Sequence, residues 1–134
     1  GAMLHDLGKK RIPLEILNKN GKLTEDEFTI MKNHPTYGID ILKEMGEEDT
    51  IIFAIIEQHH EKICGGGYPK GLKGNDIHPF AQIVALCDIF NALTTKRSYK
   101  EAMTSFDAFK IMNQHMKTEL NIKLLSKFIQ FMAQ

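Results

Sequence analysis

The sequence predicts an all-α domain, a bundle of about five to seven helices. Three observations predict it. Apolar residues recur at helical spacing along most of the chain, no segment alternates convincingly as a strand, and capping residues, prolines or glycines bracket the apolar segments.

Met3 to about Lys9 has a helical pattern but is too short to stand alone. "RIPLEILNKNGKL" reads as an irregular connection, with Pro13 early and a turn at Asn20-Gly21. Thr24-Glu25-Asp26-Glu27 has the form of a capping box, with Thr24 as N-cap and Glu27 reaching back. The helix it opens runs through Phe28, Ile30 and Met31 to about Asn33. Pro35 kinks or restarts it, because the residue before a proline avoids the helical region. Ile39, Ile41, Leu42 and Met45 mark the next helix, stopped at Gly46. Asp49 or Thr50 caps the one after, which ends near His60. Residues 63–77 form a glycine-rich loop. Pro79 suits a first helical position, and Phe80, Ile83, Val84, Leu86, Cys87, Phe90 and Leu93 make that helix nearly all apolar and therefore central. Two further helices run from about Ser105 to Lys117 and from about Asn121 to Met132.

A chain of 134 residues fits one domain and can bury a real core. Hydrophobic content of 43% with 25% charged residues marks a folded chain rather than a disordered one. Seventeen basic and seventeen acidic residues cancel, which argues against bulk attraction to a nucleic acid polymer or an anionic membrane. A local basic pocket remains compatible with that balance. No apolar run approaches the ~20 residues of a membrane span, so no direct membrane insertion is expected, and no signal-peptide pattern is visible. Cys64 and Cys87 carry neither metal spacing nor a framework of bridges, so a reduced, cytoplasmic setting is expected. The opening "GAM" reads as a cloning scar (residues 1–3) that runs straight into Leu4-His5-Asp6. Residues 4–134 are then expected to be one domain whose N-terminal helices are missing.

Polar residues stranded among apolar ones point to chemistry. His5-Asp6 follows Leu4, His34 ends the helix carrying Phe28 and Met31, and His59-His60 end the most apolar helix. Asp88 sits in the middle of "AQIVALCDIFNALT", where an ionised carboxylate costs several kcal/mol unless paired or metal-bound. Each alone reads as a cap or a hydrogen-bonded core residue. Together, four imidazoles and two carboxylates make the donor set of a mixed nitrogen–oxygen metal centre. Adjacent helical residues diverge by about 100°, so His59 and His60 straddle a site at a helix end or grip a metal pair from two directions. Without a Cys-x-x-Cys pair, structural zinc is not indicated.

Four segments, "LHDLGKKRIP", "NHPTYGIDIL", "HHEKICGGGYPKGLKGNDI" and "ALCDIFNALTTKRSYK", resemble the successive motifs of the HD-GYP family of the HD phosphohydrolases. The resemblance covers about Leu4 to Phe109 and implies an HD-domain-like helical bundle. It also implies a metal-dependent phosphodiesterase that hydrolyses cyclic di-GMP to pGpG or onward to GMP. Residue by residue it implies His5, Asp6, His34, His59, His60 and Asp88 as metal ligands, with Asp6 bridging. Lys9, with Asp6, would serve catalysis and face the scissile phosphate. Gly67, Tyr68 and Pro69 would line the guanine-and-phosphate pocket, and Arg97 and Lys100 would bind the second phosphate region. The implied cofactor is a divalent metal pair, iron or manganese first, zinc or nickel as occupants in vitro. The implied partners are cyclic di-GMP and GGDEF-domain proteins, with self-association through apolar faces left uncovered.

Three departures from the family pattern matter: Cys64 and Asn91 stand where Asp is usual, and no upstream helix bearing a further histidine or glutamate precedes Leu4. They support a competing expectation, a catalytically degenerate module that binds nucleotide or a GGDEF-type partner. A third expectation is an HD phosphohydrolase acting on another nucleotide, including a mixed cyclic dinucleotide. His78 and His115 match no ligand motif and are expected at the surface or in packing.

Overall fold

The structure, a computed structural model, describes residues 1–97 and 100–134. Seven α-helices occur among the described residues: α1 (Leu14–Leu17), α2 (Glu25–Met31), α3 (His34–Glu44), α4 (Thr50–Gln58), α5 (Pro79–Thr94), α6 (Ser105–His115) and α7 (Ile122–Met132). Short 3-10 turns cover Ala2–Leu4, Leu7–Arg11 and Gly74–Asp76. Among the described residues the only extended pairing is an isolated bridge between Arg97 and Lys100. The all-α expectation holds.

Local chemistry sets most helix ends. Thr24 Oγ1 accepts the Glu27 N–H while Glu27 Oε2 accepts the Thr24 N–H, so both halves of the capping box form. Asp49, rather than Thr50, caps α4 by accepting the Ile51 and Ile52 N–H groups. Gly46 takes φ +83, the left-handed conformation that stops α3.

Three sequence expectations need correction. The stretch read as an irregular connection contains α1, where the Pro13 carbonyl accepts the Ile16 and Leu17 N–H groups and Ile16 is buried. One turn is too short for helical periodicity to show. His34 begins α3 instead of ending α2, because α2 stops at Met31 and Pro35 sits in the first turn of α3, where its missing N–H costs nothing. On α5, Ala81, Val84, Ala85 and Leu86 are buried, yet Phe80 and Ile83 are 51% and 42% exposed. An apolar sequence all round a helix did not mean burial all round.

Two hydrophobic clusters hold the bundle. Leu86, Met112, Leu120 and Leu125 join α5, α6 and α7, and Phe90 stacks on Phe109 at 4.7 Å with Phe128 edge-on to both. Ile39, Leu42 and Ile56 join α3 to α4, with Leu4 and Leu7 packed against them. The Leu7–Arg11 turn lies directly on the α3 backbone: a Cβ on Gly8 would fall 1.8 Å from the His34 carbonyl oxygen. Only glycine permits that approach. It brings His5 and Asp6 beside the start of α3. Helix α4 packs on both α3 and α5, so its C-terminal end lies where the two halves of the bundle meet.

Candidate metal centre

Asp6, His34, His59 and His60 each offer one ligand atom to a group in which all such atoms lie within 4.8 Å of one another. Asp6 lies between two 3-10 turns, His34 is the first residue of α3, and His59 and His60 follow the last residue of α4. Because α4 ends at Gln58, the two histidines leave the helix in a turn and reach the same group.

Three of the imidazoles share a device. His5, His34 and His59 each place Nδ1 2.6–2.8 Å from the carbonyl oxygen three residues earlier, on Ala2, Met31 and Ile56. The Met31 and Ile56 carbonyls lie in the last turns of α2 and α4 and need a donor. Committing Nδ1–H to them leaves Nε2 as the lone pair whenever the ring is neutral, the tautomer a metal ligand needs. His34 Nε2 and His59 Nε2 then face one another at 3.3 Å, acceptor to acceptor. That contact is repulsive unless a cation sits beside it. His5 Nε2 is buried and has no hydrogen-bond partner among the described residues.

The Asp6 carboxylate looks two ways. Its Oδ1 lies 3.4 Å from His34 Nε2 and 4.0 Å from His59 Nε2, whereas Oδ2 lies 3.5 Å from His5 Nε2 and 2.7 Å from Lys9 Nζ. Asp88, from mid-α5, comes within 3.6 Å of His5 Nε2, an ionic contact too long for a hydrogen bond. His5 Nε2 thus lies near both carboxylates, but among the described residues neither His5 nor Asp88 joins the metal-competent group.

Burial and charge prepare these groups. Burial holds His59 down to about 4 and His60 down to about 3, with the neighbouring imidazoles adding to the effect. Burial likewise lowers His34. The His5 ring is raised, chiefly by Asp88, and Asp88 is lowered, chiefly by His5. Burial pushes the Asp6 carboxyl up, but Lys9 outweighs it by hydrogen bond and charge, and the net shift is downward. At neutral pH the cluster thus presents three neutral imidazoles around an ionised carboxylate. It is able to hold a metal ion.

A cavity of about 290 Å³ opens on the cluster, walled by His34, His60, Tyr68, Lys9 and Arg97 among others. Comparison with known proteins now decides the family. A family model described as HD domain matches residues 1–124. The chain belongs to the HD domain family. It is 48% identical over 104 residues to the cyclic di-GMP phosphodiesterase response regulator RpfG of Xanthomonas campestris pv. campestris, covering 77% of this chain and 28% of that protein. It is 38% identical to the 3'3'-cGAMP-specific phosphodiesterase 2 of Vibrio cholerae, covering 97% of this chain and 26% of that protein. Among solved structures, Bd1817, an HDG"Y"P protein from Bdellovibrio bacteriovorus, superposes with a TM-score of 0.75 at 25% identity, over 98% of this chain and 42% of that one. This HD domain spans a little over a quarter of the length of these curated relatives.

The HD domain brings its other expected residues together unevenly. Tyr68 stacks on His60, centroids 4.8 Å apart, and meets Phe28 edge-on. Burial pushes its phenol up. Arg97 walls the cluster's cavity, while Lys100 walls a neighbouring one that Arg97 also borders. Neither Gly67 nor Pro69 walls the cluster's cavity. Gly67 has a different reason to be glycine: a Cβ there would lie 2.5 Å from the backbone of His60, Glu61 and Lys62. Gly65 needs its φ of +91. The loop folds back onto the end of its own helix, and close approach to that backbone requires the small residue.

Glu61 was not legible as a site residue. It is buried, and its carboxylate accepts the Lys70 N–H at 2.7 Å and the Leu72 N–H at 2.9 Å. This clamp fixes the loop that carries Tyr68. A carboxylate directly after the histidine pair and before a glycine run was the available signal. Cys64 and Cys87 are exposed and free, and Asn91 Oδ1 accepts a hydrogen bond from Thr95. Among the described residues, none of these three joins the metal-competent group. His78 caps α5 by accepting the Phe80 N–H.

Proposed function

We propose that this HD domain is a metal-dependent phosphodiesterase that hydrolyses cyclic di-GMP to pGpG, or onward to GMP. The observation that carries the reading is the pair of facing Nε2 lone pairs on His34 and His59, set beside the Asp6 carboxylate in a group whose ligand atoms all lie within 4.8 Å of one another. Asp6, His34, His59 and His60 would hold one divalent ion, and His5, Asp6 and Asp88 a second. Iron or manganese suits the nitrogen–oxygen donor set, with zinc or nickel as occupants in vitro. When bound, such a pair supplies activation of water and neutralisation of charge at the phosphate.

The chain's own residues supply the rest. Lys9 donates to the Asp6 carboxylate and would offer a cation to the oxygens that gain charge as the phosphodiester is attacked. Tyr68, buried against His60 and held by the Glu61 clamp, offers a flat apolar face to a guanine base. Arg97 and Lys100 bind the phosphate that is not being cleaved. A cytoplasmic setting, in which Cys64 and Cys87 stay reduced, belongs to the same proposal, as does docking of a GGDEF-type partner on the Gly-Tyr-Pro loop. Self-association through exposed apolar side chains such as Phe80 and Phe131 completes it.

A second reading, hydrolysis of a mixed cyclic dinucleotide, is favoured by the 38% identity to a 3'3'-cGAMP-specific phosphodiesterase. Turnover of cyclic di-GMP and of 3'3'-cGAMP by manganese-loaded protein, followed by chromatography, separates the two. Preferential conversion of cyclic di-GMP supports the first reading. Exclusive conversion of the mixed dinucleotide installs the second, and hydrolysis of neither, with metal bound, leaves a nucleotide- or partner-binding module.

A further inference from the structure

We propose that Lys19 is a further substrate-binding residue, presented to the cluster's cavity from the α1–α2 connection by Glu27. The proposal rests on the phosphodiesterase reading and names an additional contact for the same substrate. Lys19 walls the cavity that holds His34, His60 and Tyr68. Its ammonium meets Glu27 Oε2 at 2.6 Å. That same oxygen accepts the Thr24 N–H, and the Thr24 hydroxyl in turn accepts the Glu27 N–H. The capping box that starts α2 therefore also fixes the carboxylate that aims Lys19.

The charge of the cavity gives this placement meaning. The chain as a whole is neutral, with equal numbers of acidic and basic residues. Among the described residues, the walls of this one cavity carry three cations, Lys9, Lys19 and Arg97, and no carboxylate. Ile16, Leu17, Leu23 and Met31 add an apolar stretch to the wall, beside His34, His60 and Tyr68. Cations set in an apolar wall fit a ligand that combines phosphates with flat bases. Lys9 is paired with Asp6 as Lys19 is with Glu27, and Arg97 comes from the loop after α5. Lys19 is the cation contributed by the α1–α2 wall, and a phosphate oxygen of the bound cyclic dinucleotide is the acceptor its chemistry suits.

An ion pair at a partly exposed site contributes little to stability, so loss of Lys19 should spare the fold and reveal itself in binding. The test is titration calorimetry of a hydrolysis-resistant phosphorothioate analogue of cyclic di-GMP into manganese-loaded protein. It compares wild type, Lys19→Met, Lys19→Arg and Lys22→Met. Lys22 is exposed, lies three residues away and does not wall this cavity, so Lys22→Met makes the same change in net charge without the contact. Lys19→Met should weaken binding about tenfold, with metal content and melting temperature unchanged. Lys19→Arg should recover most of the loss, and Lys22→Met should stay within about twofold of wild type. If wild type binds and Lys19→Met binds equally well, or weakens no more than Lys22→Met, the role of Lys19 is overturned and the phosphodiesterase reading stands. Loss of metal in Lys19→Met also overturns it, since the residue would then support the centre. If metal-loaded wild type does not bind the analogue, the phosphodiesterase reading fails and this inference falls with it.

Discussion

Acid should attack the metal-free protein through His59 and His60. Both rings are held neutral by burial, at about 4 and about 3, against 6.5 in the unfolded chain. A depressed value means that below pH 6.5 the unfolded chain binds more protons than the folded one. The stability present above pH 6.5 is therefore lost as pH falls toward 4 and then 3. Near pH 4.5 the unfolded chain has protonated both rings and the folded protein keeps them largely neutral. That difference costs roughly 2–3 kcal/mol per ring and about 5 kcal/mol for the pair, comparable with the whole stability of many domains. Denaturant unfolding of chelator-treated protein at pH 7 and near pH 4.5 measures it, with the His59→Gln/His60→Gln double variant as reference. The wild type should lose about 5 kcal/mol more than the double variant over that interval. A difference below about 1 kcal/mol would refute burial of neutral imidazoles as the state of this cluster.

Gly8→Ala places a Cβ against the His34 carbonyl oxygen and the Gly38 nitrogen; it should cost roughly 2–3 kcal/mol in denaturant unfolding and weaken metal binding, because relief separates His5-Asp6 from His34. Unchanged stability and metal affinity would show that the two backbones do not meet. Glu61→Gln leaves one of two backbone N–H groups facing an amide NH₂, and should cost about 1–3 kcal/mol with accelerated amide exchange at Lys70 and Leu72; protection as in wild type would refute the clamp. Asp88→Ala should lose one bound metal and turnover together; normal hydrolysis by this variant would reduce Asp88 to the ionic partner of His5.

The sequence carried the helices whose ends have their own chemistry. Thr24 with Glu27, Asp49 and Gly46 all act locally, so the limits of α2, α3 and α4 were readable to within a few residues. The one-turn α1 was not readable, since four residues show no period. Histidine and aspartate on apolar segments signalled the cluster, and the order of the four motifs signalled the family. What the sequence could not display was approach in space. That the Gly8 turn lies on α3, that Gly67 rests on the backbone of residues 60–62, and that Lys19 shares a cavity with His60 are products of packing between distant segments. The position of His34 was misread for the same reason. A proline one residue later fits a helix that kinks as well as one that begins, and only the tertiary placement of α3 chooses.

The most direct test of the account joins metal content to chemistry in one preparation. Metal per chain is measured by plasma emission and cyclic di-GMP hydrolysis by chromatography, for wild type and for His59→Ala/His60→Ala. The account predicts that manganese- or iron-loaded wild type converts cyclic di-GMP to pGpG and stops on chelation. The double variant should lose metal and turnover in parallel while its helical circular dichroism is retained. Unchanged metal stoichiometry in the double variant, or hydrolysis that persists after metal is stripped, would contradict the central claim.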